Sequence, residues 1–421
     1  MLLAGAEIAV LERVAEEMTL TYTDDVAKGS LGIPLISVSL LVRPERYAHK
    51  EIAPFFDGLL PEGLTRERIA TRLRLDPTDT FGLLREIGRD CAGALSIVPR
   101  VKRAPAEKSD VLWLDDQELA DRIAELRDRP LADDPGAGIR ISLAGVQDKM
   151  AVVVERERVG LPRGLTPSTH ILKPASIERR GARGEKLAFP GLVANEAYGL
   201  ELAARAGIVA ARASGIRVAG EPALLVERFD RSRVDGKTER LHQEDFCQAL
   251  RMPPRLKYEQ SGGPGVGSFL LLLESWSTDV ASDRDELLDR IGFNYLIGNA
   301  DAHAKNFSLL YAPKGLRLAP AYDLVSTEVY KQLDRQMATA VNGMFDPNAL
   351  QPLHWRKWFG VLSVSERRYS QRLADLADRV SAAIGPARAA LKGQGLEDPI
   401  LGAIDAIVIG RVKKLTALRG E

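Results

Sequence analysis

The residues with the clearest chemical meaning lie together in Gly-Asn-Ala-Asp-Ala-His-Ala-Lys-Asn-Phe-Ser, residues 298–308. Asp301 and Asn306 are five positions apart on one short loop. That is the spacing by which a phosphoryl-transfer loop presents a base to an incoming hydroxyl and an amide to a metal on the phosphates. Asp301 is the candidate base and Asn306 a candidate metal ligand. A second acid, Asp323 in Ala-Tyr-Asp-Leu-Val, follows a short strand and a turn at Pro320, and is suited to a metal bridging the phosphates. Leu324 and Val325 follow it, so the Asp-Phe-Gly triplet of protein kinases is absent.

Lys173 ends the apolar run Thr-His-Ile-Leu-Lys. An ammonium facing an interior needs a partner. A nucleotide phosphate or Glu196, early in the next helical segment, would supply one. Upstream, the turn Ser142-Leu-Ala-Gly-Val-Gln-Asp-Lys149 contains Gly145, which lets backbone N–H groups converge on an anion. The Walker pattern is missing. Each signal also has a plainer meaning. Asp301 and Asn306 fit a self-capping turn, Asp323 a helix cap, Lys173 a lysine reaching water, and His303 a hydrogen-bond brace for its loop. The ordered set (loop, lysine, glutamate, base, amide, second acid) favours phosphoryl transfer.

The surrounding elements must position these groups. Strands are expected at residues 94–98, 139–143, 150–155, 170–173, 216–218 and 223–226. A helix is expected over 193–206, closed by Gly207, and another begins after Asp79 as N-cap. Residues 112–126 read as one amphipathic helix, and residues 102–109 as a linker. After Phe229 the pattern turns mostly helical, with long helices expected over 283–297 and 373–391 and a short strand at 308–311. The chain thus divides into an N-terminal subdomain (1–105), a sheet-containing nucleotide lobe (106–228) and a helical lobe (229–421). The fold class is α+β, two-lobed and kinase-like.

Composition agrees with an ordinary globular chain: 421 residues, 45% hydrophobic, and 58 basic against 58 acidic side chains. Zero net charge gives no global attraction to nucleic acid or anionic membrane. Two distant cysteines, Cys91 and Cys247, argue against a disulfide framework, and five scattered histidines against a paired metal-ligand spacing. With no signal-peptide pattern and no long apolar run, the expected location is cytoplasmic, without membrane attachment.

With these residues the sequence resembles the HipA family of serine/threonine kinase toxins. The segments that carry the likeness run from about residue 50 to 330 in family order. They are Phe55-Phe-Asp-Gly-Leu-Leu-Pro, Glu86-Ile-Gly-Arg-Asp, Ile141-Ser-Leu-Ala-Gly-Val-Gln-Asp-Lys, Thr169-His-Ile-Leu-Lys, Val226-Glu-Arg-Phe-Asp-Arg, Gln243-Glu-Asp, Lys257-Tyr-Glu with Gly262-Gly-Pro-Gly, Asp301-Ala-His-Ala-Lys-Asn and Tyr322-Asp. The resemblance implies a bacterial ATP- and Mg²⁺-dependent protein kinase. It implies Asp301 as base, Asn306 and Asp323 on Mg²⁺, and Lys173 on the phosphates. Glu227, Arg228 and Phe229 would form the adenine hinge. Ser142, Ala144, Gly145, Val146, Gln147, Asp148 and Lys149, with His303 and Lys305, would complete the nucleotide contacts.

In this family the serine matching Ser142 is autophosphorylated, which silences the enzyme. The implied substrate is an aminoacyl-tRNA synthetase, whose modification arrests growth. The implied partner is a HipB-type helix-turn-helix antitoxin, through which operator DNA is reached. Ala302 replaces the usual Gly after the base, and Val146 and Asp148 vary the phosphate loop. None of these changes removes a chemical group, so activity is expected. The alternatives are a non-catalytic nucleotide-binding co-repressor acting with the antitoxin, and a small-molecule phosphotransferase.

Overall fold

The computed structural model describes residues 1–100, 110–126, 149–175, 179–180, 186–187 and 189–419. The expected strand at 139–143, the linker and the expected phosphate-loop residues Ser142, Ala144, Gly145, Val146, Gln147 and Asp148 lie outside them.

The central element is a six-stranded antiparallel sheet in the order Ala213–Val218, Glu221–Glu227, His170–Pro174, Met150–Glu155, Arg158–Arg163, Asp110–Leu114. Its register sets Lys173 opposite Leu224 and Leu172 opposite Met150. Apolar side chains from Val152, Leu161, Leu172 and Leu225 fill one face. The helix Asp116–Glu125 covers them with Leu119 and Ile123. Residues 112–126 therefore split into a strand end and a helix. Asp115 makes the break: its carboxylate accepts from Glu118 N while Glu118 reaches back to Asp115 N, a capping box.

Helix Leu192–Arg205 packs on the opposite side of the sheet, with Val193 through Leu200, Leu202 and Ala203 buried. It belongs to the large C-terminal core with Val266–Trp276, Val280–Ile297, Pro352–Val361, Glu366–Gly393 and Ile400–Thr416. Trp355 and Trp358 sit in that core, meeting edge-on at 5.6 Å. This part is less purely helical than its sequence suggests. His242–Asp245, Ser308–Ala312 and Gly315–Leu318 form a three-stranded sheet.

Residues 1–97 build a third core, with two small antiparallel sheets and helices His49–Gly58, Gly63–Leu73 and Thr80–Ile87 around Leu20, Phe55, Phe56 and Leu84. Asp79 caps the last of these through Gly82 N, as its sequence indicates. The expected strand at 94–98 contracts to Leu95–Ser96. This N-terminal module docks through polar contacts. Glu244 accepts from Val38 N (2.9 Å), and Gln248 donates to Phe55 O (3.0 Å). Among the described residues, no helix is long and apolar enough to cross a membrane.

Candidate active site

Lys173 projects from the end of its strand into the junction between sheet and helical part. Its ammonium meets Glu196 Oε1 at 2.6 Å and Asp323 Oδ1 at 3.1 Å. Burial works to lower the lysine's pKa, but the two carboxylates outweigh it and hold the ammonium charged well above its usual range. Lys173 in turn is the main cause that brings Asp323 down to about 2, so that carboxylate is ionised at neutral pH.

The segment carrying Asp323 is tied to the glutamate helix at several points. Asn195 donates to Ser326 O (2.9 Å) and accepts from Ser326 N (2.8 Å). Gly199 lies so close to Leu324 that a Cβ would come within 2.0 Å of its carbonyl oxygen, which excludes any side chain there. Asp323 itself has φ of 59°, a left-handed conformation that aspartate tolerates better than most residues. One helix thus fixes both the lysine's partner and the second acid.

The loop of Asp301 begins where helix Val280–Ile297 ends at Gly298, with φ of 74°. Asn299 then organises the turn: its amide donates to Asn294 Oδ1 (2.9 Å) and its oxygen accepts from Asp301 N (3.0 Å). Asn306 closes the loop by donating from Nδ2 to Asp301 O at 3.0 Å, leaving its carbonyl oxygen for a ligand. Ala302 keeps a negative φ, so the replacement of glycine costs the backbone nothing. Phe307 anchors the far end in a cluster with Phe246 and Phe269. Truncating such a fully buried ring costs about 3–5 kcal/mol.

A cavity of about 610 Å³ joins these groups, lined by Lys149, Lys173, Glu196, Asp301, Asn306 and Asp323 together with apolar Ile171, Val226 and Phe229. Phe229 stacks on Tyr322 at 5.5 Å. Burial, then repulsion from Lys173, lowers Lys149 to about 8. Both ammonium groups line the cavity, where they favour an anionic ligand.

At the strand end, Glu227 N donates to Arg212 O (2.8 Å) and Arg228 N to Thr169 O (3.0 Å). The Arg228 guanidinium is engaged by Asp230 (2.7 Å), Ser168 and Cys91 O. Lys305 is also engaged, by Glu62 at 3.0 Å, Asp245 at 3.7 Å and Gly58 O at 3.2 Å. His303 is buried, and burial lowers it to about 4, so the imidazole is neutral. It packs against Tyr258 edge-on at 5.2 Å. Two residues that sequence reasoning left unassigned reach the loop, Glu62 from the N-terminal module and Tyr258, whose phenol donates to Asp301 Oδ1 at 2.5 Å. Only their place in Leu-Pro-Glu and Lys-Tyr-Glu segments signals them.

Asp323 and Asn306 offer hard oxygen donors on one cavity, which suits Mg²⁺. Among the described residues no three His, Cys, Asp or Glu side chains form a metal cluster. A two-donor site is what Mg²⁺ uses when substrate phosphates and water complete its shell.

A small antiparallel sheet, a lysine–glutamate pair and a helix-borne loop with acid and amide define a protein-kinase-like fold. The sequence matches the HipA N-terminal domain over residues 1–98 and the HipA-like C-terminal domain over residues 141–384. It is 31% identical over 346 residues to the serine/threonine-protein kinase toxin HipA of Shewanella oneidensis, covering 79% of this chain and 76% of that one. It is 38% identical over 354 residues to Y4mE of Sinorhizobium fredii, covering 83% and 82%. A solved structure of Shewanella oneidensis HipA with HipB and operator DNA superposes with a TM-score of 0.80 at 27% identity, over 99% of this chain and 96% of that one. The chain belongs to the HipA family of serine/threonine kinase toxins.

Proposed function

We propose that this protein is an ATP- and Mg²⁺-dependent serine/threonine protein kinase toxin. The observation that carries the reading is the Lys173 ammonium between Glu196 (2.6 Å) and Asp323 (3.1 Å), on the cavity that also holds Asp301 and Asn306. Asp301, half exposed there, accepts the proton of the acceptor hydroxyl as its oxygen attacks the γ-phosphorus. The bond to the β–γ bridging oxygen breaks, and ADP leaves with that electron pair. Lys173 and Lys149 steady the phosphates, while Ile171, Val226 and Phe229 give the adenine ring an apolar slot. Asp323 and Asn306 would hold Mg²⁺, which supplies charge neutralisation at the phosphate oxygens.

With Glu227 N and Arg228 N engaged, the hinge role narrows to carbonyl groups and Phe229. His303 and Lys305, both buried, serve this reading as braces of the loop. Ser142 is the proposed autophosphorylation site, where added charge in a phosphate-binding loop would repel ATP. The proposed partner is a HipB-type antitoxin, which carries the contact with operator DNA. The proposed substrate is an aminoacyl-tRNA synthetase, and the proposed location the cytoplasm. Transfer of label from ATP to proteins of a cell extract tests the reading. Wild type should label a discrete band and Asp301→Asn none. Nucleotide binding without any transfer would point to the co-repressor instead.

A further inference from the structure

The candidate base does not stand alone. Tyr258 Oη donates to Asp301 Oδ1 at 2.5 Å, while the Asp301 side chain stays 51% exposed toward the cavity. A carboxylate's last torsion is broad and close to two-fold, so an unrestrained aspartate presents either oxygen at a range of angles. One donor on Oδ1 fixes the plane and leaves Oδ2 for the acceptor.

Tyr258 is itself held firmly. Its carbonyl accepts from Ser261 N and Gly263 N, both at 3.0 Å. Gly263 sits where a Cβ would come within 2.0 Å of Leu256 O, so the turn packs too tightly for any side chain there. The ring meets buried His303 edge-on at 5.2 Å. Next to it, Lys257 O accepts from Ala304 N (3.2 Å) within the base's own loop. The Lys257 ammonium pairs with Glu62 at 2.8 Å, and Glu62 pairs with Lys305 at 3.0 Å. Glu62 opens helix Gly63–Leu73 of the N-terminal module.

We propose that Tyr258 is the positioning residue of the base, fixing Asp301 through Oδ1 so that Oδ2 takes the acceptor's proton, and that the N-terminal module holds Tyr258 in place through Glu62 and Lys257. The proposal rests on the reading of Asp301 as base. The same contact would arise if the phenol occupied the acceptor hydroxyl's own place, and the two arrangements have opposite consequences.

The test uses the full chain with Mg·ATP, following initial ADP release and phosphate incorporation into the chain itself at varied ATP. Tyr258→Phe keeps the ring on His303 and removes one hydrogen bond to a charged group. Its maximal rate should fall on the order of ten-fold, with the KM for ATP unchanged. Glu62→Gln should lower the maximal rate in the same sense, and Glu62→Asp should restore part of it. A Tyr258→Phe rate equal to or above wild type overturns the proposal, and a higher rate assigns the phenol to the acceptor's place. If Tyr258→Phe unfolds below the assay temperature, the Glu62→Gln and Glu62→Asp pair decides, and wild-type rates in both overturn the proposal. No ADP release by wild type overturns the kinase reading, and this inference with it.

Discussion

Replacing Glu196 by Gln should weaken both the fold and the nucleotide site. The Glu196 side chain is 1% exposed and that of Lys173 8%. Removing one partner of a buried ion pair costs about 3–5 kcal/mol, because the other charge is left without compensation. Here Asp323 remains 3.1 Å from the ammonium and glutamine keeps one acceptor oxygen, so roughly half of that, about 2 kcal/mol, is expected. Lys173 would then lean on Asp323 alone, and the KM for ATP should rise on the order of ten-fold, equivalent to about 1.4 kcal/mol. The assay is a urea unfolding midpoint together with ATP-dependent ADP release. Lys173→Met should also destabilise, by leaving Glu196 buried without its cation. The double variant should lose less than the sum of the two, because the pair acts as a unit. A Glu196→Gln variant with a wild-type midpoint and a wild-type KM would refute the reasoning.

Two further perturbations reach other parts of the account. His242 donates from Nε2 to Ile36 O (2.6 Å) at the junction with the N-terminal module, and burial lowers it to about 4. A depressed histidine contributes stability that is present above its unfolded pKa of about 6.5 and is lost as pH falls toward 4. Burial raises neighbouring Glu244 to about 7, which acts with the opposite sign: its contribution is present below about 4.5 and is lost as pH rises through 7. The two slopes oppose each other between pH 5 and 7, so His242→Gln should lose stability relative to wild type as pH rises over that range. A parallel pH dependence of the two proteins would contradict this balance. In the proposed phosphate loop, Ser142→Asp should weaken ATP binding several-fold in a fluorescent-nucleotide titration, while Ser142→Ala should bind as wild type does.

How much of this was legible depended on how local each signal is. Asp301 and Asn306 share one loop, so their spacing carries their geometry directly. The partnership of Lys173 with Glu196 was also readable, because a lysine ending an apolar strand needs a charge and the next helix offers one. Asp301's phenol partner was not readable. Tyr258 lies 43 residues upstream and its contact depends on how a turn folds back. Glu62, 195 residues from Lys257, is more remote still, and a lone glutamate in a helix-opening position reads as solvated.

The strand His242–Asp245 escaped notice because His-Gln-Glu-Asp has no apolar alternation. It is buried all the same, since Ser37, Val38 and Tyr311 satisfy Glu244. Residues 112–126 misled in another way. Leu112 of the strand lies at helical spacing from Leu119 and Ile123 of the helix, and the Asp115–Glu118 capping box marks the boundary.

The most direct test of the central claim is the intact mass of the purified protein, shown beforehand to be unphosphorylated and able to bind ATP, after incubation with Mg·ATP. Wild type, Asp301→Asn and Ser142→Ala would be compared. The account predicts a gain of one phosphate in wild type and none in either variant. No gain in wild type would contradict a kinase that modifies itself at Ser142 and would favour a nucleotide-binding co-repressor or a small-molecule phosphotransferase.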